Sequence, residues 1–200
     1  MALKFQYNKT YLQQLNKELR VRENALPTLQ AKESALRMEV KKARDEARQL
    51  ERELEDKMRE LSAIRRLWSE FEPGLISVKN IILETRKVAG VKTPVLAGME
   101  FSVAGYSLVA AAAWFPPGIE VLKTLSALRI RRDLAHTKVQ ALEFARKKTT
   151  QKVNLYEKVQ IPDYQEAIRK IKRFLEDEEN LAKSSQKILK ARIAALEAVA

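Results

Sequence analysis

The sequence predicts an all-α-dominated fold: a long antiparallel two-helix coiled coil, or helical hairpin, with a short β-hairpin and apolar cap at the bend. Three observations carry this. Residues 12, 15, 19, 22, 26, 29, 33, 36, 40, 43, 47, 50, 54, 57, 61, 64, 68 and 71 step by alternating threes and fours, and all are apolar except Arg22, Glu33 and Lys57. A second seam of the same period returns from Ile119. Between them the composition changes abruptly, with Gly90, Pro94, Gly98, Gly105, Pro116, Pro117 and Gly118 in a stretch where only Lys92 and Glu100 are charged. An a/d repeat held this long makes helices supercoil. At 1.5 Å per residue the first seam spans about 90 Å, too long to cross a compact domain, so it must lie along another helix.

Taken in order, the chain divides into an N-terminal coiled-coil helix over 1–72, a central cap over 73–118 and a C-terminal coiled-coil helix over 119–200. The first helix begins near Leu3 and contains Pro27. An internal proline loses one hydrogen bond and clashes one turn back, yet the seam stays in phase on both sides, which predicts a kink and not a break. Glu53–Lys57 and Glu55–Arg59 have the i,i+4 spacing of a solvated face.

Pro73-Gly74 ends the helix. Leu75–Val88 then reads as a short helix, and Thr93–Val103 and Tyr106–Ala112 as two strands about an Ala104-Gly105 turn. The uncharged run from Phe101 to Phe115 is too short for a membrane span and is closed by Pro116-Pro117. Trp68, Phe71, Trp114 and Phe115 are expected to cluster where the cap meets the shaft.

In the second seam Val121, Leu125, Leu128, Ala135, Val139, Leu142, Val153 and Tyr156 take a/d places, with Arg132, Arg146 and Thr149 as polar exceptions. Near Pro162 the phase shifts by one, and Ile161, Tyr164, Ile168, Ile171 and Leu175 carry on. Pro27 lies 45 residues before Glu72 and Pro162 lies 45 after Pro117, so a hairpin would set the two prolines at similar height. Polar residues within a seam fix register and partner choice, or meet a third helix. For Arg22, Glu33 and Lys57 the register reading is preferred.

Net charge is +12. Half of it falls in residues 129–158, where nine basic side chains face Asp133, Glu143 and Glu157. Such a stripe attracts acidic protein, nucleic acid or anionic lipid alike. Catalytic chemistry finds little footing. The chain has no Cys, which excludes disulfides and thiolate metal sites, and His136 is its single histidine, read as a solvated coil position. Gly90-Val91-Lys92-Thr93 matches a phosphate loop only in part, since that motif puts Gly where Val91 and Arg86 stand. No catalytic, cofactor-binding or metal residue is therefore assigned. The N-terminus has no apolar export signal.

Three ordered segments then carry a family resemblance. Phe5-Gln-Tyr-Asn8-Lys9-Thr-Tyr-Leu-Gln-Gln-Leu15, Val88-Ala-Gly90-Val91-Lys-Thr-Pro94-Val95, and Lys152-Val153-Asn154-Leu-Tyr-Glu-Lys-Val-Gln-Ile161-Pro162, with the helix–cap–helix plan, resemble the D subunit of the V-type (V/A-type) rotary ATPases, the central-stalk rotor shaft. The resemblance spans essentially the full length. The run from Leu29 to Leu36 is less basic than the family's, and Val95 to Phe115 is more apolar.

The resemblance implies a non-catalytic subunit without cofactor. The paired chain ends would insert into the hexamer of catalytic A and B subunits, and the smaller F subunit would bind the coil nearer the bend. The bend itself would face the membrane-side rotor connecting subunit. The shaft would transmit torque between ATP hydrolysis or synthesis and ion translocation, on the cytoplasmic face of the membrane, with no membrane insertion and no nucleic acid. Arg65, Trp68, Phe71, Arg129, Arg132 and Lys138 are the candidate partner contacts. The rival reading is a basic coiled-coil nucleic-acid-binding or scaffolding protein, which the stripe supports but its lack of interleaved aromatics disfavours.

Overall fold

A computed structural model describes residues 6–62, 74–106 and 112–197, with side chains to residue 194. Helix α1 spans Lys9–Ser62, strands β1 and β2 span Ile76–Val88 and Val91–Val103, and helix α2 spans Phe115–Leu155. A π turn, Tyr156–Gln160, leads into helix α3, Ile161–Glu197. The chain is mostly helical: two long antiparallel helical arms pack together, with an antiparallel β-hairpin between them in the sequence. Packing divides it into two compact units, Met1–Ala31 with Thr149–Ala200, and Lys32–Lys148.

Along α1 every a/d residue from Leu12 to Leu61 is buried or half-buried except Lys57, which is exposed. The helix runs unbroken through Pro27, whose side is exposed. Helix α1 carries ion pairs at i,i+4 spacing, Glu18 with Arg22 and Glu33 with Arg37. Of the two pairs named from sequence, however, Lys57 turns to Glu60 at 2.8 Å and Arg59 to Asp56 at 3.4 Å, each three residues away.

In the first unit α1 opens on Asn8, whose Oδ1 accepts the Tyr11 N–H at 2.6 Å as a helix cap. Leu15, Tyr164, Ala167, Ile168 and Ile171 form the core, flanked by Tyr11, Leu12, Leu19 and Leu175. The one-residue phase shift of the second seam is the π turn. The Ile161 N–H bonds to the Tyr156 carbonyl, five residues back. A π turn holds one residue more than an α turn, so the apolar set below it is displaced by one position. It also widens the helix just before Pro162, where a proline ring would otherwise press on the carbonyl four residues back. Arg22 meets Gln160 at 3.0 Å and Glu23 meets Gln165 at 3.4 Å, which puts Pro27 and Pro162 within about two turns of each other along the coil.

In the second unit the core is Leu36, Val40, Ala43 and Leu142, with Ala47, Leu54, Ala135 and Ile119 also buried. Alanines at the seam let the helices approach closely. Polar pairs cross the coil, among them Arg44 with Glu143 (Nε–Oε1 2.7 Å), Glu46 with Lys138 (2.7 Å) and Glu51 with His136 (2.9 Å). Residue numbers rise on one helix as they fall on the other, as an antiparallel register requires. His136 is thus half-exposed and paired across the coil, not simply solvated.

The hairpin is where the sequence reading needs correction. Leu75–Val88 is not a short helix, since Ile76–Val88 is strand β1 and pairs antiparallel with Val91–Val103. The turn is Ala89-Gly90, both at positive φ (49° and 81°), and not Ala104-Gly105. Ala104 instead bonds its N–H to the Leu75 carbonyl and closes the open end of the hairpin. Tyr106–Ala112 lies largely outside the described residues. Val88, Ala89 and Val91 pack on the Leu36–Val40–Leu142 core, so the hairpin tip leans on the side of the coil. Thr93 is fully buried and satisfied, its hydroxyl donating to the Arg86 carbonyl at 3.0 Å. Trp114 and Phe115 are stacked edgewise at 5.1 Å, with Tyr106 at 5.9 Å from Phe115; Trp68 and Phe71 lie outside the described residues.

Candidate functional site

A coiled coil offers surfaces in place of a catalytic cleft, and three places depart from simple helix pairing. The first is the lower end of α3. Among the described residues coil packing ends at Leu175, near which Tyr7 and Phe174 stack at 4.7 Å. From Glu176 to Ala194 every side chain is exposed, including Leu181, Ile188, Leu189 and Ile193. On a helix these four fall along one side, with Lys183, Lys187 and Lys190 opposite. This is an amphipathic helix whose apolar stripe has no partner among the described residues.

The second place is a groove near the end of α1, about 300 Å³, lined by Lys57, Glu60, Leu61, Val121, Leu125 and Leu128. Lys57 sits at an a/d position but cannot fill it with an apolar knob, so the seam stays open beside Leu61 and Leu125. Loose, apolar-lined coil of this kind accepts a further helix.

The third place is a polar clasp inside the seam. The Tyr164 hydroxyl donates to the Glu18 carboxylate at 2.5 Å, and the Arg22 guanidinium stacks 4.3 Å from the Tyr164 ring centre. Arg22 also donates to Gln160 (3.0 Å) and to the Glu18 carbonyl (2.9 Å). The Tyr164 hydrogen bond, aided by Gln14 and Arg22, holds the Glu18 carboxyl below its ordinary value. Burial, then the bond to Glu18, pushes the Tyr164 phenol up. Arg22 is therefore tied across the coil at its place in the seam. The sequence marked Arg22 as an exception and leaves Glu18 one turn before it on the same helix, but it could not name Gln160 or Tyr164, whose approach depends on the π turn.

Of the residues singled out by sequence, Arg129 is exposed, while Arg132 pairs with neighbouring Asp133 at 2.6 Å. Lys138 is engaged within the coil by Glu46. Arg65, Trp68, Phe71 and Phe5 lie outside the described residues. Asn8 is the α1 cap, with Lys9 the first helical residue. Gly90 and Val91 form the hairpin tip, and Pro94 is half-buried beside the coil. Val153 is a buried seam residue, Asn154 is exposed, and Ile161 and Pro162 follow the π turn. These motif residues sit in different places along the chain and shape turns, caps and seams, so they do not converge on one site. Among the described residues no group of three or more His, Cys, Asp or Glu side chains gathers as a metal site. No described helix is long and apolar enough to cross a membrane.

Comparison with known proteins decides the family. The family model for the D subunit of ATP synthase matches residues 11–191. The chain belongs to the ATP synthase D-subunit family. It is 30% identical over 190 residues to the D subunit of a V-type ATP synthase from Borreliella burgdorferi, covering 94% of each chain. The V-type ATP synthase D subunit of Chlamydia abortus is 27% identical, over 78% of this chain and 77% of its own. The A-type ATP synthase D subunit of Pyrococcus horikoshii is 28% identical, over 88% and 89%. The match runs through both helical arms and the hairpin.

Proposed function

We propose that the chain is the central-stalk shaft of a V/A-type rotary ATP synthase. It transmits torque between ATP hydrolysis or synthesis in an A/B catalytic hexamer and ion translocation in the membrane sector. The observation that carries this reading is the free end of α3. A helix that leaves its coil partner at Leu175 and continues with an exposed apolar stripe over Leu181–Ile193 needs a surrounding surface. The cavity of a ring supplies one. The cross-coil pairs and the seam that lies between the helices support a stiff element, since clamped helices resist twisting better than one alone.

The open groove at Lys57–Leu61 and Val121–Leu128 suits a helix of the F subunit, nearer the bend, and the bend itself faces the membrane-side connecting subunit. Catalysis rests on the A and B subunits, and the chain works as a peripheral subunit on the cytoplasmic side. Co-expression with the A, B and F subunits tests the reading: the chain should co-purify with all three. Truncation after Asn180 should leave the melting of the isolated chain unchanged, since no described side chain packs beyond Leu175, yet weaken capture by the A/B ring. Failure of the intact chain to assemble would overturn the proposal.

A further inference from the structure

The tip of the β-hairpin gathers positive charge that the other described residues leave unbalanced. Lys87 and Lys92 are direct cross-strand partners, one pair removed from the Ala89-Gly90 turn. Side chains opposite one another share a face a few ångströms apart, and like charges there oppose pairing. Thr93, the next residue on β2, is fully buried, so Lys92 and its partner point to the opposite, solvent face. Arg86, the cross-strand partner of Thr93, flanks them from the other face, exposed at the edge of the cavity beneath the tip, and the Lys32 Nζ lies 4.0 Å from where a side-chain carbon on Gly90 would stand. None of these four cations has an ion pair among the described residues. The acids lining the cavity beneath the tip are committed elsewhere, Glu39 to Lys42 at 3.1 Å and Glu46 to Lys138 at 2.7 Å.

A sequence that sets lysine against lysine beside a turn gives up hairpin stability unless something outside supplies the counter-charge. We infer that the hairpin tip, through Lys87 and Lys92 with Arg86 and Lys32, docks on an acidic protein segment of the ring that surrounds the shaft. This rests on the rotor reading. The chemistry of the tip favours protein over the other polyanions. At the tip Val88, Ala89 and Val91 pack on the Leu36 cluster. The exposed apolar side chains of the hairpin, such as Leu83 and Val95, stand five or more residues back from the turn, so the cations and not an apolar anchor lead at the tip. The tip carries no aromatic side chain on which a base could stack. What remains is a purely electrostatic contact, quick to form and to break. That suits a surface that meets successive carboxylate patches as the shaft turns.

The test uses the full chain assembled with the A, B and F subunits. Lys92→Glu places an acid opposite Lys87, so the isolated chain should melt about 1–3 °C higher. Its association with the A/B ring at low salt should nevertheless slow about tenfold. The double variant K87E/K92E restores a like-charged pair, so its melting should return towards wild type while association falls further. Wild-type association should weaken steeply with salt, and the double variant should lose most of that dependence. Unchanged association in both variants, in a complex that assembles, would overturn the docking while leaving the rotor reading intact. Association that simply follows melting temperature would also overturn it, as would variants that lose binding only to RNA or to anionic vesicles. If the wild-type chain does not join A and B at all, both readings fall.

Discussion

Tyr164 on α3 and Glu18 on α1 meet across the coil at 2.5 Å, one turn below the place where a π turn joins the two segments of the second arm. The extra residue of that turn rotates the helix so that Tyr164, and not its neighbour, faces the partner. The bond therefore records the helical defect above it. Arg22 lies over the ring and ties the same carboxylate and Gln160 together, so four side chains respond to one backbone feature.

Tyr164→Phe tests the bond directly. The ring stays over the core, and only the hydroxyl is lost. Hydrogen bonds to charged groups contribute about 1.5–3 kcal/mol, but the Glu18 side chain is 38% exposed and water replaces part of the loss. The expected cost is about 1 kcal/mol, read as a fall in melting temperature of a few degrees. A variant as stable as wild type would show that the clasp contributes nothing.

Acid should weaken the same clasp. A carboxyl whose value in the folded chain lies below its ordinary 4.5 adds stability above that ordinary value and loses it as pH falls through the folded value. The phenol behaves oppositely: raised above 10, it adds stability below that value and loses it as pH rises through the folded one. Melting of the isolated chain should thus decline below about pH 4.5 and again in strong alkali. Tyr164→Phe should flatten the alkaline fall and reduce the acid one. Identical pH profiles for the two proteins would exclude this clasp as their source.

The π turn makes a prediction about length. Pro162→Ala alone should leave the turn in place, because Tyr164, Ile168 and Ile171 are buried in the shifted phase and would leave the core if it closed. Deleting the exposed Val159 in that background should convert the turn to α-helix with these residues still facing α1. The shortened variant should melt at least as high as wild type, with the Ile161 amide better protected from exchange. A strongly destabilised product would mean that the turn does more than correct phase.

Ala89 holds a left-handed backbone at φ 49°, which costs an ordinary L-residue about 1–2 kcal/mol. Asparagine tolerates that region and, before Gly90, makes the Asn-Gly pair that two-residue hairpin turns favour. Ala89→Asn should therefore strengthen the hairpin by about 1 kcal/mol, seen as slower amide exchange along β1 and β2. Its methyl also touches the Leu36 cluster, so a loss of stability would show that packing outweighs backbone strain here.

The two seams were legible residue by residue, down to the one-place shift near Pro162, because an apolar period of 3.5 is written locally and can be buried only against another helix. Family membership was legible too, in short segments whose order survives along the chain. The hairpin was not: Ile81-Ile82-Leu83 is as apolar on a helix as on a strand, and β1 is exposed along both faces, so no alternation marks it. Its turn is Ala-Gly, which lacks the side-chain signal of Asn-Gly. Nor could sequence choose partners for Arg22, His136 or Lys138, since residues 85 to 138 positions apart meet only once the register is set. Periodicity alone thus determined that two arms would pair. The tertiary structure decided which strand pairs with which, where the hairpin tip rests, and which charges are already matched, because those outcomes depend on distances that no local pattern encodes.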